Sequence, residues 1–326
     1  MTRLGIIGCG SHMREKLLKH IHGVPYVEIV GLNSNTKNKY KSFSNEFGDV
    51  PHFDNLKEMY EQVSFDKLIV SATPQANEKA YLLCQKNNVP VFLEKPSFLN
   101  SNFLDNEKLT SFSKNSAFVG YNIPFSPIVN SFLEKVYELG EHNIREVQIH
   151  CAANKPSSPL WGLNSNFEAF VYAVGIHAID LIRRILASNI NVDMSLNTNC
   201  HKFENGKFAS STNFQFSNTS IGMISFSNNS TVFELNCRVS FLTGVVLKLK
   251  NLFSYEIIFE KSGCIERKEV FNLSNLGNGF SQNGYEQELR EFLGNTQKSK
   301  SNLTSIFEDF TNLKLARSII EGIGGD

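Results

Sequence analysis

The chain has 326 residues, 41% of them hydrophobic and 20% charged, with 32 Lys+Arg against 32 Asp+Glu. This length predicts about two domains, and the composition is too apolar and too weakly charged for a disordered chain. A net charge of zero lacks the basic excess that phosphate neutralisation needs, so no nucleic-acid partner is expected, and the short basic clusters at 37–41, 183–184 and 298–300 read as solvated surface.

Residues 3–7 form a short apolar run ending in glycines, a buried strand by pattern. Met13, Leu17, Leu18 and Ile21 recur at helical spacing, which predicts a helix over 12–22 closed by Gly23 and Pro25. A strand at 27–32 follows. Tyr40, Phe43 and Phe47 mark a second helix, and Leu56, Met59 and Tyr60 a short third one. Strands at 68–72, 89–93 and 117–121 then alternate with helices from Pro74 to Leu83 and over 103–112. Strands alternating with helices imply a parallel sheet, which binds ligands at the carboxyl ends of its strands.

The pattern changes near residue 122. A helix at 126–138 leads to a strand at 144–151 and a long apolar helix over 166–187. Seven stretches then alternate as strands do, at 191–200, 211–218, 221–226, 231–240, 244–250, 253–260 and 265–272. Consecutive strands without intervening helices predict an antiparallel sheet. Helices at 282–295 and 304–321 close the chain. The expected fold class is α/β: an N-terminal Rossmann-type, doubly wound parallel sheet over 1–121, then an α+β domain over 122–326 with a large, open, mainly antiparallel sheet.

The apolar run at 4–10 is too short for a signal peptide, and the one at 169–176 falls far below the ~20 residues of a membrane span. A cytoplasmic protein without membrane attachment is therefore expected. Its six cysteines are widely spaced, with no CxxC pair, as befits reduced thiols rather than a zinc site. His20 and His22 fall at a helix end, and no metal site is expected.

Gly8-Cys9-Gly10 directly follows the first strand, and Ser11, His12 and Met13 open the helix behind it. Glycines let a backbone approach a dinucleotide pyrophosphate, and the helix N-terminus favours an anion. Met13 occupies the usual third glycine position. At the end of the second strand, where an acid usually holds the ribose of NAD, the chain has Asn33, Ser34, Asn35 and Lys37. Amides, a hydroxyl and a lysine suit a 2′-phosphate, so NADP is preferred to NAD; an ordinary polar loop is the plainer reading.

Ala72-Thr73-Pro74, Glu94-Lys95-Pro96, Tyr121-Asn122 with Phe125-Ser126-Pro127, and Gly175-Ile176-His177-Ala178-Ile179-Asp180 occur in this order. Together with the glycine motif they make the chain, over nearly its whole length, resemble the Gfo/Idh/MocA oxidoreductases. The resemblance implies hydride transfer between NAD(P) and a carbonyl or hydroxyl carbon of a sugar, nucleotide sugar or related biosynthetic metabolite. It implies catalytic roles for Lys95 and His177. Ala72, Thr73, Pro74, Glu94, Lys95 and Asn122 then join the cofactor contacts. Lys95, Asn122, Phe125, Lys155, Trp161, Tyr172 and His177 are the expected substrate contacts. A homodimer or homotetramer through the C-terminal sheet is also implied. An ammonium stabilises a developing alkoxide or passes a proton, and a neutral imidazole relays one. Trp161 is open between stacking on a sugar face and filling the core. Asp180 is open between orienting a neighbour and packing its helix.

The chain departs from the family pattern at four places. Ala173 stands where many members carry an aspartate one turn before the histidine, and Pro124 replaces an arginine. Glu78 replaces a histidine, and Glu168-Ala169-Phe170 replaces paired glycines. Without the aspartate, acid–base work falls to Lys95, His177 or Tyr172. Two other readings stay open: an imine reductase, which needs no strong alkoxide acid, and a cofactor-binding sensor or assembly protein without catalysis.

Overall fold

The computed structural model describes residues 1–34, 48–99, 112, 114, 116–186, 196–217, 220–272, 282–294 and 301–323. The expected helices around Tyr40 to Phe47 and over 103–111 lie outside them. The described chain divides into two compact units, Met1–Asn122 with Gly284–Phe310, and Ile123–Asn283 with Thr311–Asp326.

The first unit is built on strands β1 (Thr2–Ile7), β2 (Val27–Asn33), β3 (His52–Phe53), β4 (Lys67–Val70), β5 (Val91–Glu94) and β6 (Ala117–Gly120). The late, two-residue β15 (Thr304–Ser305) joins them, and the sheet runs β15-β6-β5-β4-β1-β2-β3. All neighbours are parallel except β15 and β6, which are antiparallel. Leu4, Ile6, Leu68 to Val70 and Val91 to Leu93 are all fully buried, as in a parallel sheet covered on both faces; hence their apolar residues run on without alternation.

Helix α1 covers 13–22, π-helical over Met13–Leu18 and α-helical over Lys19–His22. It buries Met13, Leu17, Leu18 and Ile21 against Leu4, Ile6 and Leu289 in one core cluster. Helices α2 (Leu56–Val63) and α3 (Pro74–Asn87) follow β3 and β4. Near the end of the chain, Tyr285–Leu293 forms a further helix of this unit. The Lys67 ammonium donates to its last carbonyls, 2.7 Å to Phe292 O and 3.2 Å to Leu293 O. A cation there satisfies carbonyls that the helix leaves unpaired.

The second unit holds an eight-stranded sheet, ordered β14-β13-β12-β11-β7-β10-β9-β8. Its strands are β7 (Ile144–Ala152), β8 (Leu196–Lys202), β9 (Phe208–Ser217), β10 (Ser220–Ser227), β11 (Glu234–Phe241), β12 (Val245–Lys250), β13 (Ser254–Lys261) and β14 (Cys264–Asn272). Every neighbouring pair is antiparallel except β7 with β10, which is parallel. Helix α4 (Pro127–Leu139) precedes β7. Helix α5 covers 166–186: α-helical over Asn166–Phe170, π-helical over Val171–Gly175 and α-helical again over Ile176–Leu186. Gly175 lies where an added Cβ would stand 3.0 Å from the Phe226 ring of β10, so the helix packs close against β10 there. Counting Tyr285–Leu293 as α6, the last helix, α7, is Ile306–Glu321; it begins in the first unit and ends in the second. No helix among the described residues is long and apolar enough to cross a membrane.

Candidate functional site

Where β1 ends, Gly8 takes φ +88°, and a Cβ there would lie 2.2 Å from Ser71 O. Only glycine lets the β1 and β4 ends come this close. Gly8 N donates to Asn33 O at 2.9 Å, and Ser71 N donates to Ile7 O at 2.8 Å, so three strand ends are tied together. Gly10 is different: an added Cβ would meet nothing within 4 Å. It borders a cavity of about 360 Å³ lined by Gly8 to Gly10, Asn33, Ser34 and Ser71 to Thr73. Cys9 Sγ donates to Ser34 Oγ at 3.0 Å. Asn33 is turned aside, its amide donating to Phe53 O at 2.9 Å. Asn35 and Lys37 lie outside the described residues. The open room at Gly10, the exposed Ala72 and Thr73, and the tied strand ends fit the backbone approach that a dinucleotide pyrophosphate requires.

Lys95 follows β5, half-buried, and its bond to Pro96 is cis. The turn is gripped by Asn77, fully buried in α3, whose amide donates to Glu94 O at 2.8 Å and Pro96 O at 3.1 Å. Two residues beyond Lys95, the Ser97 hydroxyl donates to Asp309 of α7. The Tyr121 hydroxyl reaches the other oxygen of that carboxylate at 2.6 Å, next to buried Asn122. Glu94 faces elsewhere. Its carboxylate lies 3.2 Å from His12 Nε2, and the His12 ring meets Tyr285 edge-on at 5.8 Å. Burial, with the nearby Glu94 and Glu288, pushes the Tyr285 phenol far above its ordinary range.

In the second unit Phe125 is buried in a short 3₁₀ turn, Lys155 is exposed, and Trp161 is half-buried at φ +54°. Tyr172 is half-buried in the π-helical turn. Burial pushes its phenol up to about 12, with Glu168 and Glu321 adding and Arg317 opposing. His177 is 8% exposed, at the second position after that turn. Asp180 takes the packing role. It accepts from Arg183 and Arg184 at 2.8 Å each and from Asn312 at 3.0 Å. Burial alone would raise its carboxyl, but the charges and hydrogen bonds of Arg184 and Arg183 hold it well below the usual carboxylate range. No cluster of three or more His, Cys, Asp or Glu able to hold a metal occurs among the described residues.

Residues 2–114 match the family model described as an oxidoreductase family with an NAD-binding Rossmann fold, Gfo/Idh/MocA. A search of curated proteins found no sequence match. Among solved structures, a dehydrogenase from Chromobacterium violaceum superposes with TM-score 0.84 at 21% identity, over 99% of this chain and 95% of that one. An oxidoreductase from Agrobacterium radiobacter, in complex with NAD+, L-tartaric acid and magnesium, gives 0.75 at 13% identity, over 98% and 96%. GenD2 from gentamicin A biosynthesis, in complex with NAD, gives 0.76 at 12% identity, over 98% and 93%. These likenesses show that the chain shares its fold along its whole length with them.

The structure gives one departure from the Gfo/Idh/MocA pattern a local cause. Glu168 donates its backbone N–H to Ser165 Oγ at 3.1 Å, and its carboxylate accepts from Asn164 N at 2.8 Å. Glu168 therefore closes the N-terminus of α5 in the manner of a capping box. Sequence reasoning missed Asn77 and Asp309. Their signal is a polar group on an apolar helix face: Asn77 beside Pro74, Ala80, Tyr81 and Cys84 in the buried stripe of α3, and Asp309 among Ile306, Phe310 and Leu313 in α7.

Proposed function

We propose that the chain is an NAD(P)-dependent oxidoreductase acting on a carbonyl or hydroxyl carbon of a sugar, nucleotide sugar or related metabolite. The observation that carries it is the Gly8 to Gly10 rim. There, one glycine is demanded by the chain's own backbone, and the other is left open beside a cavity of about 360 Å³. When bound, the cofactor supplies the hydride acceptor or donor at its nicotinamide C4.

The chain's residues do the rest. The amides around Gly10 and the start of α1 hold the pyrophosphate. Ser34 meets the adenosine ribose, and the lack of a carboxylate at Asn33 and Ser34 supports NADP over NAD. The Lys95 ammonium donates to the substrate oxygen and steadies its developing charge, and the His177 imidazole takes or returns the proton. Tyr172, whose phenol stays protonated at neutral pH, contributes a hydrogen-bond donor. Lys155, Trp161, Phe125 and Asn122 complete the proposed substrate contacts, and the eight-stranded sheet the proposed contact between subunits.

Fluorescence titration with NADPH and NADH tests the cofactor half; binding of neither overturns it. On a turned-over substrate, Lys95→Ala is expected to lower kcat by about 10²-fold or more. Full turnover in that variant removes Lys95 from the mechanism.

Ala173 motivates a second reading, imine reduction. No carboxylate stands one turn before His177, and Asp180 is committed to two arginines. Parallel ketone and imine panels separate the two, since turnover of imines alone selects the second.

A further inference from the structure

We propose that Asp309 is a positioning residue for the Lys95 turn and for Asn122. The inference rests on the reading of Lys95 as the group that meets the substrate oxygen. Asp309 is fully buried, as are both hydroxyls it accepts from, those of Ser97 and Tyr121. Ser97 belongs to the segment that leaves β5 with Lys95. Tyr121 belongs to the segment that leaves β6 with Asn122. One carboxylate therefore fixes two neighbouring strand ends at the edge where this sheet class binds its ligands.

The helix that brings Asp309 there is anchored on its own account. β15 pairs with β6, Thr304 opposite Val119 and Ser305 opposite Phe118. The Glu308 carboxylate accepts from Ser305 N and from Ser305 Oγ, each at 2.8 Å. This closes the first turn of α7, and Asp309 follows at once. From the other side the Asn77 amide holds the carbonyls of Glu94 and Pro96. The Lys95 turn is thus clamped between an amide of α3 and a carboxylate of α7. Burying a carboxylate has a desolvation penalty that an apolar side chain of similar volume would avoid. The polar residue stands where its two oxygens set the angles of both loops.

The test follows the Lys95 amine directly and needs no substrate. Acetylation of Lys95 by acetic anhydride is measured by mass spectrometry across about pH 7 to 11, the range that spans a lysine's titration. Asp309→Asn keeps the volume but replaces one accepting oxygen with an amide that donates. It is expected to move the Lys95 labelling midpoint by at least about half a pH unit, or the rate by at least about threefold. In fluorescence titrations NADH and NADPH should still bind, weakened by no more than about tenfold, because the Gly8 to Gly10 rim keeps its own contacts and only those from Lys95 and Asn122 shift.

Tyr121→Phe and Ser97→Ala each remove one arm and are read the same way, so a poorly folding Asp309→Asn leaves the question decidable. Met59→Ala, a core truncation in the same unit, serves as the stability-matched control. An unmoved profile in Asp309→Asn and Tyr121→Phe overturns the proposal, as does an equal change in Met59→Ala. Failure of the oxidoreductase reading shows up separately, as wild-type protein that binds neither nucleotide.

Discussion

The rim at Gly8 to Gly10 and the helix around Asp180 treat polar groups in opposite ways. At the rim, backbone and small side chains border open room, and Gly10 has no neighbour that would object to a side chain. Around Asp180 every polar group finds another: one carboxylate, two guanidinium groups and the Asn312 amide close on each other, and Asp180 is 1% exposed. Glycines beside a cavity leave room for a ligand. A buried charge cluster that satisfies itself has nothing left to offer one. Of these two motifs, the first reads as a place for chemistry. In the second, Asp180 reads as the strut that holds the helix on which His177 is displayed.

The largest break in this comparison comes from Asp180→Ala. It removes the carboxylate that two largely buried guanidinium groups share, and a loss of about 3–5 kcal/mol in chemical denaturation is expected. Nucleotide affinity should stay within about twofold, since the rim lies in the other unit. The same carboxylate sets an acid response. Its folded pKa lies below the unfolded value of about 3.9, so its contribution is fully present above that value and lost as pH falls through the folded one. Wild-type stability should therefore fall below about pH 4, and Asp180→Asn should flatten that part of the profile.

Next in size is Gly8→Ala. The added Cβ meets Ser71 O at 2.2 Å, on a backbone at φ +88°. A loss of about 2–4 kcal/mol, from overpacking and left-handed backbone together, is expected in the same assay. Gly10→Ala sharpens the contrast because its effect falls on the ligand alone. The melting temperature should stay within about 2 °C. Affinity for NADH or NADPH should drop about tenfold, or about 1.4 kcal/mol. Should Gly10→Ala melt early yet bind normally, the cavity is not the nucleotide site.

Much of this was legible in the sequence because it is local. Leu4 to Ile7 of β1 and most of β4 and β5 show as apolar runs, since both faces of their sheet are covered. Gly-Cys-Gly shows because it sits between a strand and an amphipathic helix. What could not be read depends on partners far along the chain. β3 and β15 have two residues each, too few for any periodicity. The parallel pairing of β7 with β10 joins residues some 75 positions apart, as His150 with Ser225. Asp309 lies 188 residues from Tyr121 and 212 from Ser97. The π-helical turn over Val171–Gly175 leaves the apolar pattern of α5 intact, so spacing alone reads it as ordinary helix.

The smallest effect is expected at Tyr172, which lies in that π-helical turn and bears on how His177 works. Its phenol is pushed up to about 12, chiefly by burial. A folded pKa above the unfolded value of about 10 favours the neutral phenol in the fold. That contribution is present below about pH 10 and is lost as pH rises through the folded pKa. Tyr172→Phe should therefore change stability at neutral pH by less than about 0.5 kcal/mol, and should weaken the decline between about pH 10 and 12. In turnover, a donor that never ionises near neutrality moves KM and leaves the pH–rate profile in place. A shift of that profile in Tyr172→Phe would instead make the phenol a proton carrier, and Tyr172 would then stand in for the carboxylate that Ala173 lacks.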